Sequence, residues 1–315
     1  MVFKMINTTL HVNSGPFTGS YSIEHKSFVF PGGEVHVRYD LDSLTNGVSQ
    51  DEDFYYAVIN ARIRNSNDLM ELILASRALK ETFYIQNMHC NLFYLPYARQ
   101  DRQCVIGEPL SVKVFFDVIK AANFDSIDLF DPHSDVSNAL LDCGNTHEVQ
   151  DIISLFKHLP LYVNGKETAL VSPDAGANKK VFKVAQRLGV DKIVRCDKMR
   201  NVSTGEIIET VVYEDEIDYP CFIIDDICDG GRTFIEIAKA LRAKGCPEVY
   251  LYVTHGIFSK GLHVFDGLID RIYTTDSFFN PDEVACGAHM EHPFSLKSNH
   301  ENDIIVNCLH LDERF

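Results

Sequence analysis

The stretch Phe222-Ile-Ile-Asp-Asp-Ile-Cys-Asp-Gly-Gly-Arg-Thr-Phe234 constrains this chain more than any other, because it passes from a buried strand through an acidic turn into a helix. Phe222, Ile223 and Ile224 form the short apolar run of a strand covered on both faces, and Phe234, Ile235, Ile237, Ala238 and Leu241 recur at helical spacing. A strand end feeding a helix start presents backbone amides and a positive dipole end, and Gly230-Gly231 let a phosphate approach without Cβ interference. Asp225, Asp226 and Asp229 would repel a bare phosphate unless sugar hydroxyls or a bound cation lay between. A phosphorylated sugar carries both the hydroxyls and the phosphate that such a turn asks for. An ordinary acidic turn would not need so long a run of coherent pattern.

Composition narrows the partners. The chain has 315 residues, enough for two domains of ordinary size, and 45% of them are apolar. A formal net charge of −16 argues against nucleic acid or an anionic membrane, so an anionic ligand must be met locally. Nine cysteines at irregular spacing, with no C-x-x-C pair, read as reduced thiols in a cytoplasmic compartment. No apolar run suits a signal peptide or a membrane span, so the expectation is a soluble, intracellular protein.

The turn resembles the ribose-5-phosphate loop of phosphoribosyltransferases and of ribose-phosphate diphosphokinases, and a second motif separates the two families. Tyr97-Ala-Arg-Gln-Asp-Arg102 matches the diphosphokinase signature intact, and there it binds the nucleotide. The chemistry suits the role: the forks of Arg99 and Arg102 pair with phosphate or stack on a purine, Gln100 offers the donor and acceptor that read an adenine edge, and Asp101 lies between them. In the same family a Phe-Ser-Asp-Gly-Glu hairpin reaches the adenine of a neighbouring subunit's ATP. Here the segment is Phe30-Pro-Gly-Gly-Glu34, in which Phe30 keeps a stacking face, Glu34 an acceptor, and glycine replaces the aspartate.

The resemblance implies further site residues. His133, after the strand Ser126 to Phe130, falls where the family places a histidine near ATP and its magnesium. Asp174, in Ser172-Pro-Asp-Ala-Gly176, falls in the loop that cradles the transferred diphosphate and helps hold Mg²⁺. Lys198 and Arg200 fall on the lysine and arginine of the catalytic loop, followed by an expected hairpin from Asn201 to Tyr213. The ribose-phosphate loop comprises Asp225, Asp226, Asp229, Gly230, Gly231, Arg232 and Thr233, and Arg232 stands where the family carries a smaller residue. A guanidinium there suits a more highly charged acceptor, so ADP-ribose stands beside ribose 5-phosphate as the candidate acceptor, with ATP as co-substrate.

The expected architecture is α/β: two phosphoribosyltransferase-like lobes, each a mainly parallel sheet flanked by helices. We place the nucleotide-binding lobe at residues 1–160 and the ribose-phosphate lobe at 161–302, with a last strand in 303–315 returning to the first lobe. The implied assembly is a homo-oligomer, at least a dimer. Two other readings stay open at this level: a phosphoribosyltransferase, which would have no use for Arg99-Gln-Asp101, and a non-catalytic regulatory homologue, which would have lost Lys198 and Arg200.

Overall fold

The computed structural model describes residues 4–14, 17–44, 54–200, 207–281, 288–291, 295–298, 304–312 and 314. The chain divides into two compact units, Met1–His147 and Glu148–Arg314.

The first unit is built on a seven-stranded sheet in the order β3-β2-β1-β4-β5-β6-β7. Its strands are β1 (Ile6–Ser14), β2 (Phe17–Val29), β3 (Val35–Asp40), β4 (Phe54–Arg62), β5 (Ile85–Tyr94), β6 (Ser126–Phe130) and β7 (Thr146–His147). Strands β4 to β7 run parallel, whereas β1, β2 and β3 form an antiparallel wing. Its helices are α1 (Ser66–Thr82), α2 (Ser111–Ile119) and α3 (Asp135–Leu140). Alternation along the strands sorts the two faces of the sheet. Ala57, Ile59, Met88, Cys90, Leu92 and Leu129 join Leu72 and Leu79 of α1 and Phe115 of α2 in one core. The intervening residues make a polar row: Asn91 Nδ2 donates to Asn60 Oδ1 at 2.7 Å, His89 Nδ1 meets Ser126 Oγ at 2.6 Å, and His147 Nε2 meets Asp128 Oδ2 at 3.1 Å.

The second unit opens with α4 (Val149–Ile153) and the short hairpin of β8 (Tyr162–Val163) and β9 (Lys166–Glu167). There follow β10 (Ala169–Ser172), α5 (Asn178–Leu188), β11 (Ile193–Arg200), β12 (Ile207–Val212), β13 (Cys221–Cys228), α6 (Arg232–Ala243), β14 (Val249–Gly256), β15 (Arg271–Thr275), β16 (Ala288–Glu291), β17 (Ser295–Ser298) and β18 (Ile305–Leu309). The sheet order is β12-β11-β10-β13-β14-β15-β18-β17-β16, parallel from β11 to β18. Both faces of β13 are buried: Phe222 and Ile224 pack with Val181 and Val184 of α5, while Ile223 packs with Phe234, Ile237 and Leu241 of α6. That double burial is why the run reads as continuously apolar.

Two expected boundaries are corrected. The first unit ends at His147 rather than near residue 160, because Val149 and Ile153 of α4 are buried with Val181 and Val184 of α5, and Lys183 bonds Glu148. The last strand does not return to the first lobe. β18 pairs in parallel with β15 from Arg271↔Ile305 to Thr275↔Leu309, and Val306 and Cys308 lie in the second unit's core.

Among the described residues no helix is long and apolar enough to cross a membrane, and none of the eight described cysteines is in a disulfide.

Helix α1 starts at a capping box. The Asn65 side chain accepts from the amides of Asn67 at 2.9 Å and Asp68 at 3.3 Å, and Asp68 Oδ2 accepts from the Asn65 amide at 3.0 Å. Asn65→Ala is expected to cost about 1 kcal/mol. Thermal unfolding checks it: the midpoint should fall by a few degrees, and an unchanged midpoint would show that Asp68 holds the turn alone.

Candidate functional site

In the second unit, the ends of two neighbouring parallel strands build the site. β10 and β13 pair in parallel with Val171 opposite Ile223, so the turns that follow them adjoin. After β10, Ser172 Oγ donates to the Asp174 carbonyl at 3.0 Å, and Asp174 Oδ1 accepts from the Ala177 amide at 3.1 Å. Asp174 thereby caps a single 3₁₀ turn, Ala175–Ala177, ahead of α5. Lys180, in the first turn of α5, reaches across to β13, with its Nζ 4.0 Å from Asp226 Oδ2.

Asp225 and Asp226 occupy the end of β13 rather than a loop beyond it, Asp225 lying opposite Val253 of β14. Asp226 is only 4% exposed, and its amide donates to Asp225 Oδ1 at 3.0 Å. Burial, then the charge of Asp226 and the hydrogen bond between the two carboxyls, hold the Asp225 carboxyl well above the usual carboxylate range, with Lys180 opposing the shift.

The turn then meets α6. Gly231 sits at the helix cap with φ +76°, and a Cβ there would lie 2.5 Å from the Phe265 ring, so the position demands glycine for both conformation and space. The N-cap residue, Gly231, supplies no side-chain cap, and the start of the helix carries the amides and dipole end that suit an anion. Arg232 is exposed, Thr233 half-buried, and Asp229 accepts from Ser259 Oγ at 2.5 Å. Gly230 has only the Lys260 side chain nearby. Cys228 is fully buried in the core, which fits packing rather than nucleophilic chemistry. His255 is 2% exposed and bonded through Nδ1 to Ser277 Oγ at 2.8 Å.

The backbone of Lys198 and Arg200 lies in β11, with Lys198 opposite Thr210 of β12. Their side chains, and residues 201–206, lie outside the described part of the structure.

The first unit repeats the strategy with different chemistry. β5 and β6 pair in parallel up to Leu92↔Leu129, and the turns after them converge. Tyr97 adopts φ +62°, and the Gln100 amide donates to its carbonyl at 2.8 Å, turning the chain so that Arg99, Gln100 and Arg102 are exposed while Asp101 is buried. Burial alone would push the Asp101 carboxyl up. The hydrogen bond from Arg102 and the charges of Arg102 and His133 oppose it, and the carboxyl is held below its ordinary value. Asp101 thus ties the Arg-Gln-Asp-Arg turn to the His133 turn, with Arg102 Nε 3.2 Å from its Oδ1. His133 itself is exposed.

Phe30 and Glu34 stand apart from that turn along the sheet. Their hairpin joins β2 to β3, and β2 is three places from β5, about 14 Å at about 4.8 Å per strand. The hairpin is tight, with Phe30 N bonded to Glu34 O and Gly33 N to Phe30 O, both at 2.8 Å. It presents an exposed aromatic face, Phe30 standing edge-on to Phe28 with centroids 4.8 Å apart.

Sequence reasoning missed two contacts: Lys180 with Asp226 and Ser259 with Asp229. Each joins turns from neighbouring strands, so the signal lay in strand order, which no single motif carries.

Residues 144–268 match the model of the phosphoribosyl transferase domain. The chain is 31% identical over 256 residues to a ribose-phosphate pyrophosphokinase of Mycoplasma genitalium, covering 79% of this chain and 73% of that protein. It is 30% identical over 223 residues to the Bradyrhizobium diazoefficiens protein of the same name, covering 70% and 69%. The chain belongs to the ribose-phosphate pyrophosphokinase family. The fold agrees with that of phosphoribosylpyrophosphate synthetase from Mycobacterium smegmatis, with a TM-score of 0.70 and 21% identity over 92% of this chain and 87% of that one. Membership makes the chain an enzyme of the pyrophosphokinase type and accounts for a two-lobed α/β architecture.

The raised Asp225 carboxyl has a consequence for stability. Above the ordinary carboxylate range an unfolded aspartate is ionised while folded Asp225 keeps its proton, so the native state binds more protons and loses stability as pH rises through the folded pKa. Asp225→Asn removes the equilibrium. Unliganded, the variant should melt above wild type at about pH 8, with the two converging near pH 4. A variant with the wild-type pH slope would show that Asp225 is not its source.

Proposed function

We propose that this chain transfers the β,γ-diphosphate of ATP to the anomeric 1-hydroxyl of ribose 5-phosphate, releasing AMP and phosphoribosyl pyrophosphate. The observation that carries the reading is the crowded carboxyl pair of Asp225 and Asp226 directly ahead of the uncapped start of α6, a strand end shaped for a diol and a phosphate on one molecule. The names of the relatives supply the same acceptor and donor class.

In this reading the backbone amides from Asp229 to Thr233, with the Gly230-Gly231 approach and the Thr233 hydroxyl, hold the 5-phosphate. Asp225 and Asp226 take the 2- and 3-hydroxyls, and the proton on Asp225 makes it a donor as well as an acceptor. Arg99, Gln100, Asp101 and Arg102 hold the nucleotide with His133 beside the triphosphate, while Phe30 and Glu34 serve the adenine of a neighbouring copy. Mg²⁺, when bound, would neutralise charge on the β- and γ-phosphates. The oxygens of Asp225 and Asp226 are hard ligands of the kind it takes, and a cation there would relieve the crowding that raises the Asp225 carboxyl, although among the described residues no group of three or more such ligands is assembled.

The transfer forms the bond from the 1-oxygen to the β-phosphorus and breaks the bond from the β-phosphorus to the bridging oxygen, which leaves on AMP; the hydroxyl proton passes to solvent. Positioning and electrostatics do most of the work in such reactions. Lys198 and Arg200 neutralise charge on the bridging and equatorial oxygens. Lys198→Ala is expected to retain the fold and lower AMP release by about 10²–10³-fold. Turnover at the wild-type rate would remove Lys198 from the site.

Arg232 is the observation that brings ADP-ribose into the test, because it places an exposed guanidinium at the start of α6. With equimolar ribose 5-phosphate and ADP-ribose, products resolved by chromatography should be phosphoribosyl pyrophosphate and AMP in equal amounts. Consumption of ADP-ribose would assign the extended acceptor instead, and release of diphosphate dependent on a base would move the chain to the phosphoribosyltransferases.

A further inference from the structure

The second unit contains a cavity of about 240 Å³ that the diphosphokinase reading does not use. It is framed by the segment after α4 and by the ends of β15 and β18. Among the described residues its lining holds no aspartate or glutamate and includes Lys157, His158, His310 and Arg314. In a chain with 45 acidic residues against 29 basic ones, an acid-free pocket of this kind runs against the composition and marks a place for negative charge. Asp276, behind the lining residue His310, accepts from His310 Nδ1 and from the Leu311 amide, both at 2.9 Å.

The inner wall is of a different kind. Phe156 stands edge-on to Tyr273, centroids 5.8 Å apart at 76°, and Leu155, Cys308 and Leu309 complete an apolar surface. Asn307 is directly opposite Tyr273 in the pairing of β15 with β18. Its Nδ2 is buried with no hydrogen-bond partner among the described residues. That atom is closed off even from water, so Asn307 serves as part of the pocket wall rather than as a donor to its contents. The volume equals about eight waters at about 30 Å³ each, the scale of a single ring with one charged group.

We propose that this cavity is a binding site for a small planar organic anion. The ring lies against Phe156 and Leu309, and a carboxylate or phosphate at the mouth meets Lys157 and Arg314. Lys157 and Arg314 are exposed, so replacing them leaves the core untouched.

The test is calorimetric titration of the full chain with phenyl phosphate, benzoate and inorganic phosphate, after thermal melting has shown the variant to be as stable as wild type. Phenyl phosphate or benzoate should bind wild type, and inorganic phosphate should bind at least tenfold more weakly. The Lys157→Ala/Arg314→Ala double variant should lose tenfold or more. The two organic probes separate a phosphate ligand from a carboxylate one. The ribose-phosphate loop also accepts phosphate, so the decisive reading is the difference between wild type and a variant in which that loop is intact. No binding by wild type, or equal binding by wild type and the variant, overturns the site. Inorganic phosphate binding as tightly as phenyl phosphate, with the same sensitivity to the double variant, overturns the planar body.

Discussion

Two carboxyl groups held side by side at the end of a buried strand are the constraint on which the ribose-phosphate lobe turns. Asp225 and Asp226 sit in the second half of β13, which stays paired with β14 to Cys228, and burial together with their mutual repulsion raises the Asp225 carboxyl. Lys180 approaches Asp226 only to 4.0 Å, too far for a close ion pair, so it offsets the crowding without ending it. The rest of the lobe supports that arrangement. β10 brings the Asp174 turn and Lys180 alongside, β14 closes the other flank, and α6 begins at a glycine that no other residue could replace without moving Phe265. A site of this kind costs stability when empty and recovers it when hydroxyls or a cation enter.

The nucleotide lobe solves a different electrostatic problem with a similar scaffold. Asp101 is buried among donors and stays ionised, so it acts as a fixed anchor for Arg102 and for the His133 turn. In one lobe burial is overcome by partners and the carboxylate serves as a clamp; in the other burial wins and the carboxyl keeps a proton. The strong negative charge of the chain is therefore compatible with anionic ligands, because the turns that meet them use arginine, lysine and backbone amides locally.

Much of this was legible in the sequence. The run Phe222 to Ile224 announced a doubly covered strand, and Phe234 to Leu241 announced the helix, because the apolar periodicity reports burial directly. The strand pair β1 and β2 was not legible: INTTLHVNS alternates apolar and polar residues too weakly to stand out, and it becomes a strand by pairing with β4. The unit boundary was placed too late because α4 is only five residues long, and its membership of the second unit depends on contact with α5. The turn residues were legible as types. Which turns touch which was not, since that follows from strand order.

The most direct test of this account is the protonation of the pair itself, read by carbon NMR of the aspartate carboxyls with Asp225→Asn as the assignment standard. The account predicts one carboxyl titrating well above the ordinary range in the unliganded protein, and its loss of the proton at neutral pH when ribose 5-phosphate and Mg²⁺ are added. Two carboxylates both ionised near pH 4 without ligand would contradict it.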